Sequence, residues 1–327
     1  MENLLFCYSY TDFLRELTAL KKQYRSRMKI VSAGFSADGR MIPEVIIGDL
    51  KAPVHILIQA GIHGREYMNC AVVMRQMREY LDSIASAGSG MEKALCYHVM
   101  PMTNPDGCMI SQFGPAGIRN EILRERVLQI SGWTEDTQEE YQKKRTFFQS
   151  WKSNARGVDL NRNFLPDWEA AGESEKAGFQ GYKGPSACSE PEVKAILGIQ
   201  KKYSVDCCIS FHSSGEAIYW DYERESIGKG VRDDQNRRER QLACLLSKST
   251  SYPMSSVKKN RLPAAGCSDH FARIFNALAI TVETGKGECP LAPDEYEIIW
   301  EQNRNLWNEI GQFCKKTVDE IQRQRYT

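Results

Sequence analysis

Hydrophobic and polar residues follow two kinds of spacing along this chain. Apolar positions three and four residues apart predict amphipathic helices over residues 11–24, with Thr11 as the N-cap, and from about residue 65 to residue 84. Short apolar runs that end in turns or polar clusters predict buried strands. These runs cover residues 29–33, 42–47, 54–58, 97–102, 205–211 and 278–282.

The alternation of these strands with helices predicts an α/β fold with a twisted, mixed, mostly parallel central sheet and helices on both faces. Asp38-Gly39 lies between the first two strands and indicates a hairpin, because glycine accepts the positive φ of such a turn. Helical spacing between residues 294 and 322 predicts a packed helix that closes the fold. Since no repeat or linker divides the chain, we expect a single domain over residues 1–327.

Residues 118–150 interrupt the alternation with a charged, helical stretch. One interpretation is a lid over the edge of the sheet. The other interpretation is a solvated helical insertion with no direct functional role. The residue pattern leaves both open.

Composition narrows the class of protein. The 327 residues are 42% hydrophobic and 26% charged, which is typical of a soluble globular protein with a packed core. The 43 basic and 42 acidic residues nearly cancel, so neither nucleic acid nor an anionic membrane is an expected partner. No apolar stretch approaches 18 residues and no signal peptide is recognisable. The 11 cysteines, without a C-x-x-C pair, favour a reducing compartment, and we expect a cytoplasmic protein.

His63 and Glu66 follow the predicted strand at 54–58, where a small-residue turn enters a helix. Their separation of three residues lets one helical turn direct both side chains to one point, and imidazole nitrogen and carboxylate oxygen are both zinc ligands. By itself, the pair is also compatible with an incidental surface contact.

The chain has few candidates for a third ligand, because it contains only five histidines. His212 ends the apolar run at 205–211, at the carboxyl edge where ligands gather in parallel sheets, and it is the best-placed candidate. His55 and His98 lie within predicted strands, and we interpret them as structural histidines that are buried and hydrogen-bonded or lie at the surface.

Two further segments carry polar side chains suited to catalysis. Residues 157–164 place Asp159, Asn161 and Arg162 in one loop, where the arginine fork suits a carboxylate. An Asx-rich turn with a surface arginine is the alternative interpretation. Glu283 ends the predicted strand at 278–282, where it is a candidate proton acceptor or merely marks the exit of the strand into solvent.

Taken in order, these segments resemble the zinc carboxypeptidases of the carboxypeptidase A superfamily over about residues 54–290. The motifs that carry the resemblance are His63-Gly64-Arg65-Glu66, Pro101-Met102-Thr103-Asn104-Pro105-Asp106-Gly107, Gly157-Val158-Asp159-Leu160-Asn161-Arg162-Asn163-Phe164, and the strand ends at His212 and Glu283. Five motifs in the right order are far more specific than any one of them.

Three more segments, 151–156, 211–220 and 285–291, resemble the bacterial branch that cuts the γ-D-glutamyl bond to meso-diaminopimelate in cell-wall peptides. The resemblance therefore implies a metallopeptidase whose partner is a small murein peptide, such as the tripeptide L-Ala-γ-D-Glu-diaminopimelate. The tyrosine that digestive members bring over the substrate has no counterpart, since a rough ungapped alignment meets Arg261 there.

The resemblance also implies roles around the metal. His63, Glu66 and His212 would hold one Zn²⁺ ion that activates a water molecule. Glu283 would act as the general base and then as the acid. Asp159 would orient His63 through its other ring nitrogen.

The remaining implied roles concern the substrate. Asn161 and Arg162 would bind the carboxylate of the departing residue. The cation that supports the oxyanion would be Lys152 or Arg156, and we favour Arg156 because its guanidinium stays charged. Ser268 falls near the position that selects the substrate side chain.

Two alternatives stay open. The same residues would serve a carboxypeptidase acting on ordinary or polyglutamate peptides. A catalytically inactive, zinc-bearing module that binds cell-wall peptides is the non-enzymatic alternative, although such a module has no need of Glu283 as a base.

Overall fold

The computed structural model describes residues 6–87, 91–132, 138–165, 167–221, 229–260 and 265–325. Within these ranges the strands are β1 (Met28–Phe35), β2 (Met41–Gly48), β3 (Val54–Ala60), β4 (Leu95–Met100), β5 (Cys207–Ser213), β6 (Ala217–Trp220), β7 (Met254–Ser256) and β8 (Leu278–Thr284). The α-helices are α1 (Tyr10–Gln23), α2 (Met68–Ala87), α3 (Met91–Ala94), α4 (Pro105–Phe113), α5 (Glu121–Ser131), α6 (Gln138–Gln149), α7 (Pro191–Tyr203), α8 (Lys229–Thr250), α9 (Ser268–Ile274), α10 (Glu295–Asn303) and α11 (Leu306–Arg325).

The strands of the described ranges form one sheet in the order β1-β2-β4-β3-β5-β8-β6-β7. The four central strands β4, β3, β5 and β8 run parallel, whereas β1, β2 and β6 introduce antiparallel pairs toward the edges. All six residues of β4 are buried, as expected of a parallel strand covered on both faces. The prediction of a mixed sheet with a parallel centre is confirmed.

Helices cover both faces of this sheet. Successive side chains of β3 point to opposite faces, because the side-chain period of a strand is two. Ile56 and Ile58 join a core cluster that includes α1, α2, α8 and α11, while Leu57 joins a second cluster that includes α7 and α9. The predicted packing of helices on both sides is therefore confirmed.

The N-cap of the first helix lies two residues before the predicted one. Its N-cap is Ser9 and not Thr11, because the hydroxyl of Ser9 accepts the N–H of Asp12 while the carboxylate of Asp12 accepts the N–H of Ser9. This reciprocal capping box satisfies two backbone donors that Thr11 would leave unpaired.

The predicted hairpin between β1 and β2 is confirmed. The N–H of Ser36 donates to the carbonyl of Arg40 at 2.8 Å, and Gly39 has φ of 73° within the turn. Glycine adopts this backbone conformation without the steric cost that a Cβ would add.

The C-terminal segment forms two helices, α10 and α11, and the prediction of one continuous helix over residues 294–322 is wrong in this respect. The side-chain amide of Asn303 donates to the carbonyl of Ile299 at 2.8 Å and to the hydroxyl of Tyr252 at 3.0 Å. An asparagine side chain that bonds the carbonyl four residues back competes with the helical backbone and favours an end at this point.

The insertion at 118–150 contains α5 and α6. Its residues 133–137 lie outside the described residues. Its apolar side chains Val127 and Phe148 pack with Ile110 of α4 and with Trp151. The insertion is thus helical and anchored to the domain by a small core of its own.

Among the helices of the described ranges, none combines the length and the apolar character that crossing a membrane requires.

Candidate functional site

Three neighbouring parallel strands bring the chemistry-bearing residues to one edge of the sheet. β3, β5 and β8 lie side by side, so that their carboxyl ends meet. His63 follows β3. His212 and Glu283 are the next-to-last residues of β5 and β8, and they pair directly with each other in the register of these two strands. Residues that are far apart in the sequence therefore lie close together in the fold.

The turn after β3 is shaped by close backbone packing. A short 3₁₀ helix, Gly64–Glu66, positions Glu66 one turn after His63. A Cβ on Gly64 would lie only 2.4 Å from the carbonyl carbon and oxygen of Gly107. The N–H of Gly64 also donates to the carbonyl of Lys152 at 2.9 Å, which ties this turn to the loop that carries Lys152.

His63, Glu66 and His212 form a compact, buried cluster. The Nδ1 atom of His63 lies 2.8 Å from Oε1 of Glu66, and the Nδ1 atom of His212 lies 3.0 Å from Oε2 of the same carboxylate. The two Nδ1 atoms are 3.2 Å apart. Three donor atoms thus converge on one point, two from the turn after β3 and one from the end of β5.

This donor set fits a zinc ion. Zinc prefers imidazole nitrogen and carboxylate oxygen at about 2.0–2.2 Å in a tetrahedral arrangement, which places neighbouring donors roughly 3.3 Å apart. Oδ1 of Asp159 lies 3.4 Å from Nε2 of His63, on the side of the ring away from Glu66. A carboxylate in this place fixes the tautomer and leaves Nδ1 of His63 available to a metal.

The electrostatics of the cluster point the same way. Burial alone would raise the pKa of Glu66, but His63 and His212 outweigh it and hold that pKa well below its usual range. Burial would lower the pKa of His212, but the carboxylate of Glu66 raises it to about 9. The pocket therefore keeps the carboxylate of Glu66 ionised, and a metal ion bound beside it would take the place of the proton that this carboxylate attracts to His212.

Glu283 is half-buried next to this cluster. Burial raises its pKa to about 7, and the negative charges of Glu66 and Asp269 act in the same direction against the lowering effect of His212 and Lys152. A carboxylate whose pKa lies near neutrality can accept a proton and return it in the same catalytic cycle.

A cleft of about 200 Å³ joins these groups to the predicted substrate-binding residues. Its lining residues are His63, Lys152, Asn161, Arg162, His212, Tyr219, Val257, Cys267, Asp269, Thr281 and Glu283. The structure therefore brings the predicted Lys152, Asn161 and Arg162 to the same cavity as two of the three donors and Glu283.

The loop at 157–164 presents Asn161 and Arg162 from a short 3₁₀ helix, Leu160–Arg162. Oδ1 of Asp159 accepts the N–H of Asn161 at 3.1 Å, which starts this turn and links it to His63. Oδ1 of Asn161 accepts the N–H of Ser268 at 3.0 Å. The NH₂ group of the same side-chain amide therefore points away from Ser268. These contacts hold Asn161 in place, and Nη1 of Arg162 donates to the carbonyl of Asn161 at 2.9 Å.

Ser268 lies beneath the cleft and not on its surface. Its backbone N–H binds Asn161, and its hydroxyl accepts from Nε2 of Gln59 at 3.0 Å. Its neighbours Cys267 and Asp269 line the cavity instead. Ser268 thus supports residues that line the cleft, and its expected place near the position that selects the substrate side chain stays a prediction.

Arg156 lies outside the cleft, contrary to the role expected for it. Oδ1 of Asn154 accepts the N–H groups of both Arg156 and Val158, and this turn directs the arginine side chain outward. Its guanidinium is partly exposed and lies 3.6 Å from the buried carboxylate of Glu190. Of the two candidates, the cation that lines the cleft is Lys152.

Several lining residues were not predicted. Thr281 precedes Glu283 by two positions on β8, so strand alternation alone could have placed both on one face. Tyr219 pairs with Thr281 through the antiparallel strand β6, which the sequence pattern did not reveal. Arg261 lies outside the described residues, and no described residue of 118–150 lines the cleft.

Comparison with known proteins agrees with this geometry. The model of the family described as zinc carboxypeptidase matches residues 13–306. The chain belongs to the zinc carboxypeptidase family. It is therefore a zinc metallopeptidase, and the family uses one catalytic Zn²⁺.

Individual relatives of this zinc carboxypeptidase have diverged widely. It is 26% identical over 305 residues to gamma-D-glutamyl-L-diamino acid endopeptidase 1 of Lysinibacillus sphaericus, covering 90% of this chain and 70% of that protein. The crystal structure of thrombin activatable fibrinolysis inhibitor matches with a TM-score of 0.72 at 18% identity, over 94% of this chain and 74% of the other. Murein-tripeptide amidase of Escherichia coli O157 matches with a TM-score of 0.50 at 18% identity, over 88% and 92%.

Proposed function

We propose that this metallopeptidase hydrolyses the amide bond between γ-D-glutamate and diaminopimelate in small murein peptides. The observation that carries the proposal is one cleft lined by the donors His63 and His212 together with the half-buried Glu283 and Arg162, with the third donor, Glu66, beside it. The 26% identity to an endopeptidase named for γ-D-glutamyl-L-diamino acid bonds supports this substrate class.

The charges of the cleft also suit a diamino acid. Lys152 and Arg162 supply two cations, and Asp269 supplies a carboxylate to the same cavity. Asp269 is held by the hydroxyls of Ser210 at 2.8 Å and Thr281 at 2.9 Å. A residue that carries both carboxylate and ammonium groups would find a complementary charge for each.

In this mechanism His63, Glu66 and His212 would hold the metal. A bound Zn²⁺ would supply Lewis-acid activation of a water molecule and of the scissile carbonyl. Glu283 removes the proton of the attacking water and then delivers it to the leaving amine. Asn161 and Arg162 hold the carboxylate of the departing residue, which orients the scissile bond over the donor cluster.

Lys152 takes the role first expected of Arg156. Its ammonium lines the cleft and lowers the pKa of both Glu283 and Asp159, so its positive charge acts directly on the reacting centre. A fixed cation beside the carbonyl stabilises the negative oxygen that develops during attack.

A substrate panel tests the proposal. The purified enzyme is incubated with L-Ala-γ-D-Glu-meso-diaminopimelate, its L-lysine analogue, the murein tetrapeptide, γ-linked polyglutamate and α-linked peptides ending in basic, acidic or aromatic residues, and products are identified by mass spectrometry. We expect free diaminopimelate from the tripeptide with the highest kcat/KM of the panel. Equal or faster cleavage of the α-linked or polyglutamate peptides would assign the enzyme to those substrates, and zinc binding without any turnover would indicate a binding module.

We also propose that the enzyme works in the cytoplasm. The odd number of cysteines, 11 in the chain, supports a reducing compartment. Alkylation of thiols in native cells, followed by mass spectrometry, should find them reduced, and oxidised pairs would contradict this location.

A further inference from the structure

A second cluster of potential metal ligands lies at the opposite end of the central strands. His55 is the second residue of β3 and pairs in register with Cys96, the second residue of β4. His98 follows Cys96 by two positions and therefore projects from the same face of the sheet. Glu44 of the adjacent β2 completes the group.

The side chains of this cluster converge closely. Nε2 of His98 lies 2.9 Å from Nδ1 of His55, and Nδ1 of His98 lies 2.6 Å from Oε1 of Glu44. The thiol of Cys96 and the two imidazoles each place a ligand atom within 4.8 Å of the others. Two nitrogen donors and one sulfur donor thus face a common point.

Each imidazole has a further hydrogen-bond partner that orients its ring. The carboxylate of Glu44 accepts the Nδ1–H of His98, which leaves the lone pair of Nε2 directed toward His55 and Cys96. The backbone of Ala52 is a hydrogen-bond partner of the His55 ring, and Tyr203 stacks on His98 with ring centroids 4.1 Å apart. The pair Glu44–His98 repeats the pair Asp159–His63 of the catalytic centre, in which a carboxylate fixes the tautomer of a ligand.

We propose that Nδ1 of His55, Sγ of Cys96 and Nε2 of His98 form a second binding site for a borderline transition-metal ion such as Zn²⁺. Nitrogen and thiolate donors select such ions, whereas Mg²⁺ and Ca²⁺ require oxygen donors. Binding displaces the thiol proton of Cys96 to solvent and forms a metal–sulfur bond. His55 is half-buried, which provides access for the ion.

Charge balance supports a divalent ion at this point. The Cys96 thiolate and the Glu44 carboxylate together carry two negative charges, which one divalent cation neutralises.

This site is separate from the catalytic centre. His55 lies at the amino end of β3, and the turn to His63 lies beyond its carboxyl end, roughly 16 Å away along the strand. An ion bound here would link β3 directly to β4 and, through Glu44, to β2. We therefore expect it to stabilise the fold without taking part in peptide hydrolysis.

Cobalt provides the test, because a thiolate bound to Co²⁺ gives a charge-transfer band in the near ultraviolet. The catalytic donors contain no sulfur, so this band reports the second site alone. We expect the metal-free enzyme to bind two Co²⁺ ions per chain, with the band present and displaced by Zn²⁺. Cys96→Ser should bind one ion without the band, whereas the control Cys244→Ser, on α8, should keep both.

His212→Gln separates the two sites in the other direction, since it should lose the catalytic ion and retain the band. His98→Gln replaces Cys96→Ser if the serine variant does not fold, and should also lose the band. Binding of a single Co²⁺ by the wild-type enzyme with no charge-transfer band would overturn the proposal. A band that persists in folded Cys96→Ser would do the same, because another cysteine would then be the ligand.

Discussion

Asp159 offers a quantitative test of how the zinc site is held in place. Its Oδ1 lies 3.4 Å from Nε2 of His63, and the carboxylate also accepts the N–H groups of Asn161 and Gly181, each at 3.1 Å. Asp159→Asn keeps the size of the side chain and one acceptor oxygen but removes the negative charge that His63 faces. The imidazole of His63 then loses the partner that fixes its tautomer and strengthens its Nδ1 as a donor.

The expected size follows from this single lost contact. Carboxylates that orient a metal-bound histidine contribute about 10-fold to 100-fold to metal affinity, which corresponds to about 1.4–2.7 kcal/mol. The Kd of Asp159→Asn for Zn²⁺ should rise by that factor in a chelator competition assay at constant pH. The value of kcat at saturating zinc should fall less than the affinity, because the three donors themselves remain.

A matched control isolates the effect on His63. Glu173→Gln also removes a carboxylate near this loop, since Glu173 lies 3.8 Å from Arg162, but Glu173 is exposed and pairs with Arg162 instead of His63. Its zinc affinity should stay within about twofold of the wild type. If Asp159→Asn also binds zinc with unchanged affinity, the argument that Asp159 orients His63 is refuted.

Three further predictions concern the cleft, the interior and the turn after β3. Lys152→Ala should lower kcat/KM by roughly 100-fold, as loss of an oxyanion partner does. Arg156→Ala should stay within about twofold of the wild type. If steady-state kinetics show the larger loss for Arg156→Ala, Arg156 is the oxyanion partner. Burial, and then a neighbouring acid, raise the pKa of Glu192 from 4.5 to about 7, so the native state binds a proton in this window and the unfolded state does not. The free energy of unfolding should therefore fall by up to about 3 kcal/mol as pH rises from 4.5 to 7, and urea titrations of Glu192→Gln should show a smaller pH dependence. Gly64→Ala should lower both Tm and zinc affinity, since its Cβ would meet the backbone of Gly107; an unchanged Tm would show that the turn yields freely.

The donor cluster was predictable because its members sit at strand ends. In a parallel sheet the carboxyl ends of neighbouring strands meet, so His212 and Glu283 could be placed near His63 once their strands were recognised. The inference also needs β3, β5 and β8 to be neighbours, which the sheet order of the structure shows.

The side-chain direction within loops was not predictable in the same way. Lys152 and Arg156 are four residues apart in one loop, and the spacing of motifs does not show which of them faces the cleft. The turn built by Asn154, whose side chain accepts two backbone N–H groups, decides it. Such a contact depends on tertiary packing and not on residue pattern.

The residues that short strands contribute to the cleft were also not predictable from the sequence pattern. β6 and β7 have four and three residues, too few for a clear periodicity, and β6 inserts next to β8 by long-range pairing. Tyr219 reaches the cleft only through this pairing. The histidines within strands were correctly interpreted as hydrogen-bonded, but their convergence with Cys96 depends on the register of β3 and β4.

The most direct test of the catalytic account is the turnover of L-Ala-γ-D-Glu-meso-diaminopimelate by Glu283→Gln at a zinc content equal to that of the wild type. Glutamine preserves the shape of the side chain but cannot accept the proton of the attacking water. We expect one zinc per catalytic site in both proteins and a loss of kcat by about 10²-fold to 10⁴-fold in the variant. Fully zinc-loaded Glu283→Gln that releases diaminopimelate at the wild-type rate would contradict the account.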